Sequence, residues 1–153
     1  MTEMRRKDRA ITQEEATTLL NSGEYGILST VSESGEPYGI PLSYCIIDNS
    51  IYFHCAVVGK KLEHFKHNNS VSFCVVGNTE ILPDKFSTKY ESIIVSGKIE
   101  EVFDDEKQIG LEGLLHKYSP KFLDEGIVYI KRATEKTKVF RINITSLTGK
   151  SRK

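Results

Sequence analysis

Apolar and polar residues alternate in short runs along most of this chain, with glycine, proline or asparagine at the joints. That period of two predicts half-buried strands. Only a few stretches carry the three-to-four-residue spacing of a helix. Thr12-Gln-Glu-Glu15 is a capping box, in which the hydroxyl takes one free amide and the carboxylate returns to another. A helix over residues 12–21 follows, burying Ala16, Leu19 and Leu20 and stopping at Gly23. Residues 25–31 and 37–47 read as a hairpin around the turn at Ser32-Glu-Ser-Gly35. Pro41 lacks an amide donor, so this second strand lies at a sheet edge or marks an opening in the sheet. A turn at Asp48-Asn-Ser50 leads to a strand over 51–55. A short helix then starts at Gly59, carries Leu62 and Phe65 and ends near Asn68-Asn69.

A strand over 71–76 comes next. Residues 77–89, with Pro83 inside and Leu82 and Phe86 as apolar anchors, read as a loop long enough to be functional or mobile. Residues 90–103 form a long strand with a bulge or bend at Ser96-Gly97. Asp104 opens a helix that carries Ile109, Leu111, Leu114, Leu115 and Tyr118 and stops before Pro120. A shorter helix covers 127–133. In the last strand Phe140, Ile142 and Ile144 alternate with Arg141, Asn143 and Thr145, and residues 147–153 form a basic tail. Residues 1–10 are a charged arm without periodicity, of a kind that orders against a partner. About six strands connected mainly as hairpins, with three or four short helices, predict a mostly β (α+β) domain over residues 1–153. Its antiparallel sheet is expected to close into a barrel.

Composition narrows the function. The 153 residues carry 21 basic and 21 acidic side chains. That balance argues against general nucleic-acid or anionic-membrane binding, which draw on a basic excess. No apolar run approaches the length of a spanning helix, and the amino terminus has no apolar signal region. Cys45, Cys55 and Cys74 lie in apolar runs and are odd in number, which predicts free, buried thiols and a cytoplasmic setting.

The chemistry concentrates after the strand at 51–55. Gly59 allows close backbone approach to a ligand. The first helical turn leaves unpaired amides at the positive end of the dipole, and Lys60 and Lys61 add cationic charge there. A phosphate satisfies all three features; a solvated turn with two exposed lysines is the plainer reading. His54, His64 and His67 with Cys55 make a poor metal set, lacking a second ligand pair at zinc spacing. No nucleophile elbow, Walker loop or Rossmann glycine pattern is present. The stretch from Gly39 to Tyr44 supplies backbone, a hydroxyl and a phenol, while residues 51–56 supply an apolar wall and one imidazole. A ligand with a phosphate at one end and a flat polar heterocycle at the other, such as flavin mononucleotide (FMN), fits that order.

Tyr38-Gly-Ile-Pro-Leu-Ser-Tyr44, Tyr52-Phe-His-Cys-Ala56 with Gly59-Lys-Lys-Leu62, and Val71-Ser-Phe-Cys-Val-Val-Gly77 resemble the pyridoxamine 5′-phosphate oxidase-like flavoproteins, especially their nitroimidazole-resistance branch. Met4-Arg-Arg-Lys-Asp-Arg9, Tyr90-Glu-Ser-Ile-Ile-Val-Ser-Gly97 and Leu147-Thr-Gly-Lys150 match that branch in the same order. The resemblance implies a split β-barrel and FMN, with FAD as the variant, held at a homodimer interface. It implies that the backbone of Leu42, Ser43 and Tyr44 and of His54, Cys55 and Ala56 lines the isoalloxazine. Lys60 or Lys61 would hold the phosphate, with Gly59 beside it in the cofactor-binding set, and Tyr90 and Ser92 would reach in from the partner chain. A flavin-dependent oxidoreductase acting on a small aromatic substrate, with His54 as proton donor, is the implied activity. A non-catalytic flavin- or haem-binding module is the alternative. His54 is open to a second reading as a packing residue.

Overall fold

The computed structural model describes residues 3–153. Seven strands form one antiparallel sheet: β1 (Gly26–Val31), β2 (Pro37–Leu42), β3 (Cys45–Ile47), β4 (Ser50–Ala56), β5 (Ser70–Leu82), β6 (Ser87–Val102) and β7 (Thr137–Arg152). Four helices accompany them: α1 (Gln13–Ser22), α2 (Lys60–His67), α3 (Asp104–Tyr118) and α4 (Leu123–Ala133). The order across the sheet is β2-β1-β5-β6-β7-β4-β3. Strands β2 and β3 therefore occupy opposite edges, yet only Ser43 and Tyr44 separate them in the chain. Two residues can join two edges only if the sheet curls back on itself. The result is a split barrel with the split at Ser43-Tyr44. The single strand expected over 37–47 is accordingly two, and Pro37 and Pro41 sit on the β2 edge, where an absent amide costs no interior ladder bond.

The barrel interior is filled by Leu28, Ile51, Phe53, Phe73, Val75, Ile93, Val95 and Ile142, all fully buried. These are alternate positions of their strands, as the period of two requires. Helix α1 closes one end of the barrel with Ala16, Leu19 and Leu20. Its capping box is complete: Glu15 N–H donates to Thr12 Oγ1 at 3.0 Å and Thr12 N–H to Glu15 Oε1 at 3.2 Å. A second, smaller core lies outside the barrel wall. Tyr52 and Val139 on the outer faces of β4 and β7 pack there with Leu111 and Leu114 of α3 and Ile130 of α4.

Residues 77–89 are not a loop. They complete a long hairpin, with Thr79 to Leu82 paired to Tyr90 to Ser87 and a short 3-10 turn, Pro83–Lys85, at its tip. Polar side chains on both faces of this arm hide the alternation that marks a half-buried strand. The basic tail is likewise paired, since Leu147 to Arg152 run beside Val95 to Tyr90 of β6. The bulge at Ser96-Gly97 is present as a register shift between β6 and β7. The charged arm is anchored on its own chain: Ala10 bridges to Lys150, and Ile11 N–H donates to Gly149 O at 3.2 Å. Residues 1 and 2 of that arm lie outside the described residues. Among the described residues no helix is long and apolar enough to cross a membrane.

Candidate functional site

Strand β4 alternates between two environments. Ile51 and Phe53 enter the barrel, while Tyr52 and His54 face outward beneath α3 and α4. His54 forms part of the floor of a cavity of about 560 Å³ between the barrel wall and the α3–α4 pair. Leu111, Leu114 and Tyr118 line it from α3, Tyr129, Ile130 and Ala133 from α4, and Ser43 from the split. Phe122, Glu125 and Thr137 also line it. Such a volume with apolar walls and few polar groups is typical of a small-molecule site. The imidazole of His54 makes no hydrogen bond to protein among the described residues. The side chain stays exposed within the open cavity, but the protein around it desolvates it enough to push its pKa below the ordinary histidine value. It faces the cavity as an unpartnered, neutral ring at pH 7.

One turn of chain further, α2 begins. Gly59, its N-cap, has φ 157° and ψ 164°, a conformation essentially confined to glycine, and provides no side-chain cap. The free amides of the first turn are therefore uncovered by any side chain. Lys60 extends over the Tyr38 ring, its Nζ 5.2 Å from the centroid. Lys61 curls back, with Nζ 3.9 Å from where a Cβ on Gly59 would lie. Neither ammonium has a carboxylate partner among the described residues. Burial pushes the Cys55 thiol up, and the charges of Lys61 and Lys138 partly offset that shift. The positive charge thus gathers at the end of β4 and the start of α2, as the Gly-Lys-Lys pattern suggests.

The other sequence candidates are distributed unevenly. Ser43 is exposed at the cavity, and Leu42 is half-buried against the barrel core. Tyr44 is fully buried: its phenol donates to Leu20 O at the end of α1, and its ring meets Phe73 edge-on at 5.0 Å. Its backbone is occupied as well. The amide donates to Tyr118 Oη at 3.0 Å, and the carbonyl accepts from Lys117 Nζ at 2.9 Å. Ala56 is exposed at the end of β4, beside Thr137 of β7. Tyr90 and Ser92 lie on β6, where Tyr90 is held by Arg9 through a 3.3 Å bond to its hydroxyl and a guanidinium 5.8 Å from its ring centre.

The histidines drawn as a metal set do not converge. His64 turns inward from α2, its Nδ1 2.7 Å from Thr30 Oγ1, while His54 faces the outer cavity. All three cysteines are free thiols. Burial raises the pKa of each, Cys45 to about 11, so none has the character of a nucleophile. Sequence reasoning missed the roof of the cavity. Its α4 begins four residues before the expected start, and Gly126 sits inside that first turn because a Cβ there would strike Leu115 of α3.

Residues 12–151 match the model of the family described as pyridoxamine 5′-phosphate oxidase. The chain belongs to this family. Several solved structures share the fold. A candidate 5-nitroimidazole antibiotic resistance protein from Bacteroides thetaiotaomicron is 20% identical, with TM-score 0.75 over 92% of this chain and 85% of that one. A FAD-binding protein from Mesorhizobium loti is 25% identical, with TM-score 0.67 over 95% and 98% of the two chains. The FAD and heme binding protein from Mycobacterium smegmatis is 17% identical, with TM-score 0.79 over 92% and 71%. A comparison with curated proteins finds no match to the chain.

Proposed function

We propose that this protein is an FMN-dependent oxidoreductase acting on a small aromatic substrate. The observation that carries the reading is the pair of ammonium groups of Lys60 and Lys61, without a carboxylate partner among the described residues, at the uncapped start of α2, a few residues along the chain from His54 in the cavity floor. Side-chain cations and free helix amides together suit a phosphate. The family membership, and relatives described as FAD-binding, make a flavin the natural owner of that phosphate. The residues present fit the group. Gly59, Lys60 and Lys61 would hold its phosphate, with Ser43 and the outer strand positions of His54, Cys55 and Ala56 beside its ring.

Bound flavin supplies the electron transfer; the chain supplies position, shielding and a proton. The walls of α3 and α4 exclude water from the ring of a bound substrate. His54, without a protein partner, is free to donate an N–H to that substrate or to pass it a proton. Because its pKa is lowered, the imidazolium form is scarce at pH 7, and proton delivery strengthens as the medium becomes more acidic.

A second copy of this chain belongs to the same reading. On the outer face of the sheet Ile27, Cys74 and Ile94 lie side by side across β1, β5 and β6, with Val76 beyond them. Val76 is 55% exposed and Ile94 51% exposed. A face of apolar and small side chains without cover suits association between copies, which would bring Tyr90 and Ser92 of the partner toward the flavin.

The test is a visible absorption spectrum of the purified protein, mass identification of what heat releases, and turnover with a reduced nicotinamide donor. Released FMN with turnover is the expected result. Released FAD alters the cofactor, released haem removes the flavin reading, and bound flavin without turnover leaves a binding module.

A further inference from the structure

Charge is segregated across the site. Lys60 and Lys61 stand at the start of α2, Lys138 of β7 is paired with Glu101, and none of the three lines the cavity. Among the described residues, Glu125 on the first turn of α4 is the one acidic or basic aliphatic side chain in the cavity wall. It has no ion-pair partner among the described residues. Two aromatic side chains flank it from the same segment, Phe122 at 62% exposure and Tyr129 at 72%. His54 on the floor is mostly uncharged at neutral pH.

A carboxylate among exposed aromatic rings is the chemistry that recognises organic cations, because ring faces and the carboxylate both attract positive charge. An anion entering the same space meets Glu125, while Lys117, 5.2 Å from the Tyr118 ring centre, and Lys107, on the Thr134 carbonyl, stand behind wall residues and do not themselves line the space. We propose that the chamber beneath α4 takes a planar aromatic cation, a protonated or N-alkylated heteroaromatic ring, and that Glu125 sets this preference. The inference rests on the redox reading above and names the substrate class of the same site. The apolar walls of Leu111, Leu114 and Ile130 take the ring surface, and Glu125 faces its charge at the mouth.

The test uses three ligands of one shape: 10-methylacridinium, acridine and acridine-9-carboxylate at pH 7.5. Dissociation constants are measured by calorimetry on the purified protein as isolated, with its flavin content recorded from the visible spectrum. The cation is expected to bind about fivefold more tightly than neutral acridine, the gain of one charge pair at contact in water. The carboxylate is expected to bind weakest. Glu125→Gln, on an exposed helix position, should remove most of the cation's advantage over the neutral ligand, leaving only what the ring faces give. Ala133→Trp, which fills the chamber, should weaken all three by tenfold or more. Equal binding of cation and anion by the native protein overturns the proposal. So does a cation preference undiminished by Glu125→Gln, or tight binding that survives Ala133→Trp. Flavin content separates the two claims: a protein without flavin that still prefers the cation refutes the cofactor reading and keeps this one.

Discussion

The ammonium of Lys117 lies 3.7 Å from the centre of the Tyr44 ring and donates to the Tyr44 carbonyl at 2.9 Å. A cation held both over a ring face and on a backbone oxygen fixes the point where the barrel splits. The phenol of Tyr44 fixes the other side by taking the Leu20 carbonyl, one of the acceptors that the end of α1 leaves without a helical partner. Tyr44→Phe leaves that buried carbonyl unpaired and should cost about 1–3 kcal/mol of stability. Lys117→Met should cost about 1 kcal/mol. Urea unfolding of each variant measures both.

The same residue shows where sequence reading succeeds and where it stops. The α1 capping box and the buried set Ala16, Leu19 and Leu20 are local patterns, and all are realised. The alternation of Phe140 and Ile142 against Arg141 and Asn143 is local too, and it places the first pair in the core. The break at Ser43-Tyr44 is not local. It depends on Leu20 and Lys117, which lie 24 and 73 residues away along the chain. Residues 77–89 hide their pairing because the arm has few buried positions to impose a period of two. The Gly-Lys-Lys cluster was readable because charge and backbone freedom are adjacent in sequence. The cavity roof was not, because Gly126 reads as a breaker until Leu115 is seen beside it.

Gly126→Ala therefore tests the roof. A Cβ there must push α4 away from Leu115, at a cost of about 1–3 kcal/mol for overpacking. Thermal unfolding should register the loss. Protease cleavage within residues 119–126 should rise with it, whereas unchanged stability would mean that α4 is not seated on α3 at this contact.

His54 couples the site to pH. Its pKa in the folded chain is below the ordinary value of about 6.5, so the unfolded chain binds the proton first as pH falls. The contribution of this group to stability is present above about pH 6.5 and is lost as pH falls toward the lowered pKa. In urea titrations at pH 7.5 and 5.5, His54→Gln should show a smaller drop than the native chain. Turnover should fall by about 10²–10⁴-fold in that variant with flavin retained, as for a lost proton donor.

Ile94 sits at the centre of the uncovered sheet face and is half exposed in one chain. Ile94→Asp places an unpaired charge where a second copy would bury it, without disturbing the barrel interior. Sedimentation should show the native protein as a dimer and the variant with dimer affinity lowered by about tenfold or more, at 1.4 kcal/mol per tenfold. A native protein that sediments as a monomer at micromolar concentration would contradict the shared-site arrangement.

The proposed phosphate seat at Gly59, Lys60 and Lys61 is best tested by titrating cofactor-free protein with FMN and with riboflavin, which differ only in the phosphate. The native chain should bind FMN at least about tenfold more tightly, the scale of one charge-assisted hydrogen bond. Lys60→Ala combined with Lys61→Ala should bring FMN down to the affinity of riboflavin. Equal affinity for the two ligands in the native chain, or an FMN preference that survives the double substitution, would contradict the assignment of these lysines.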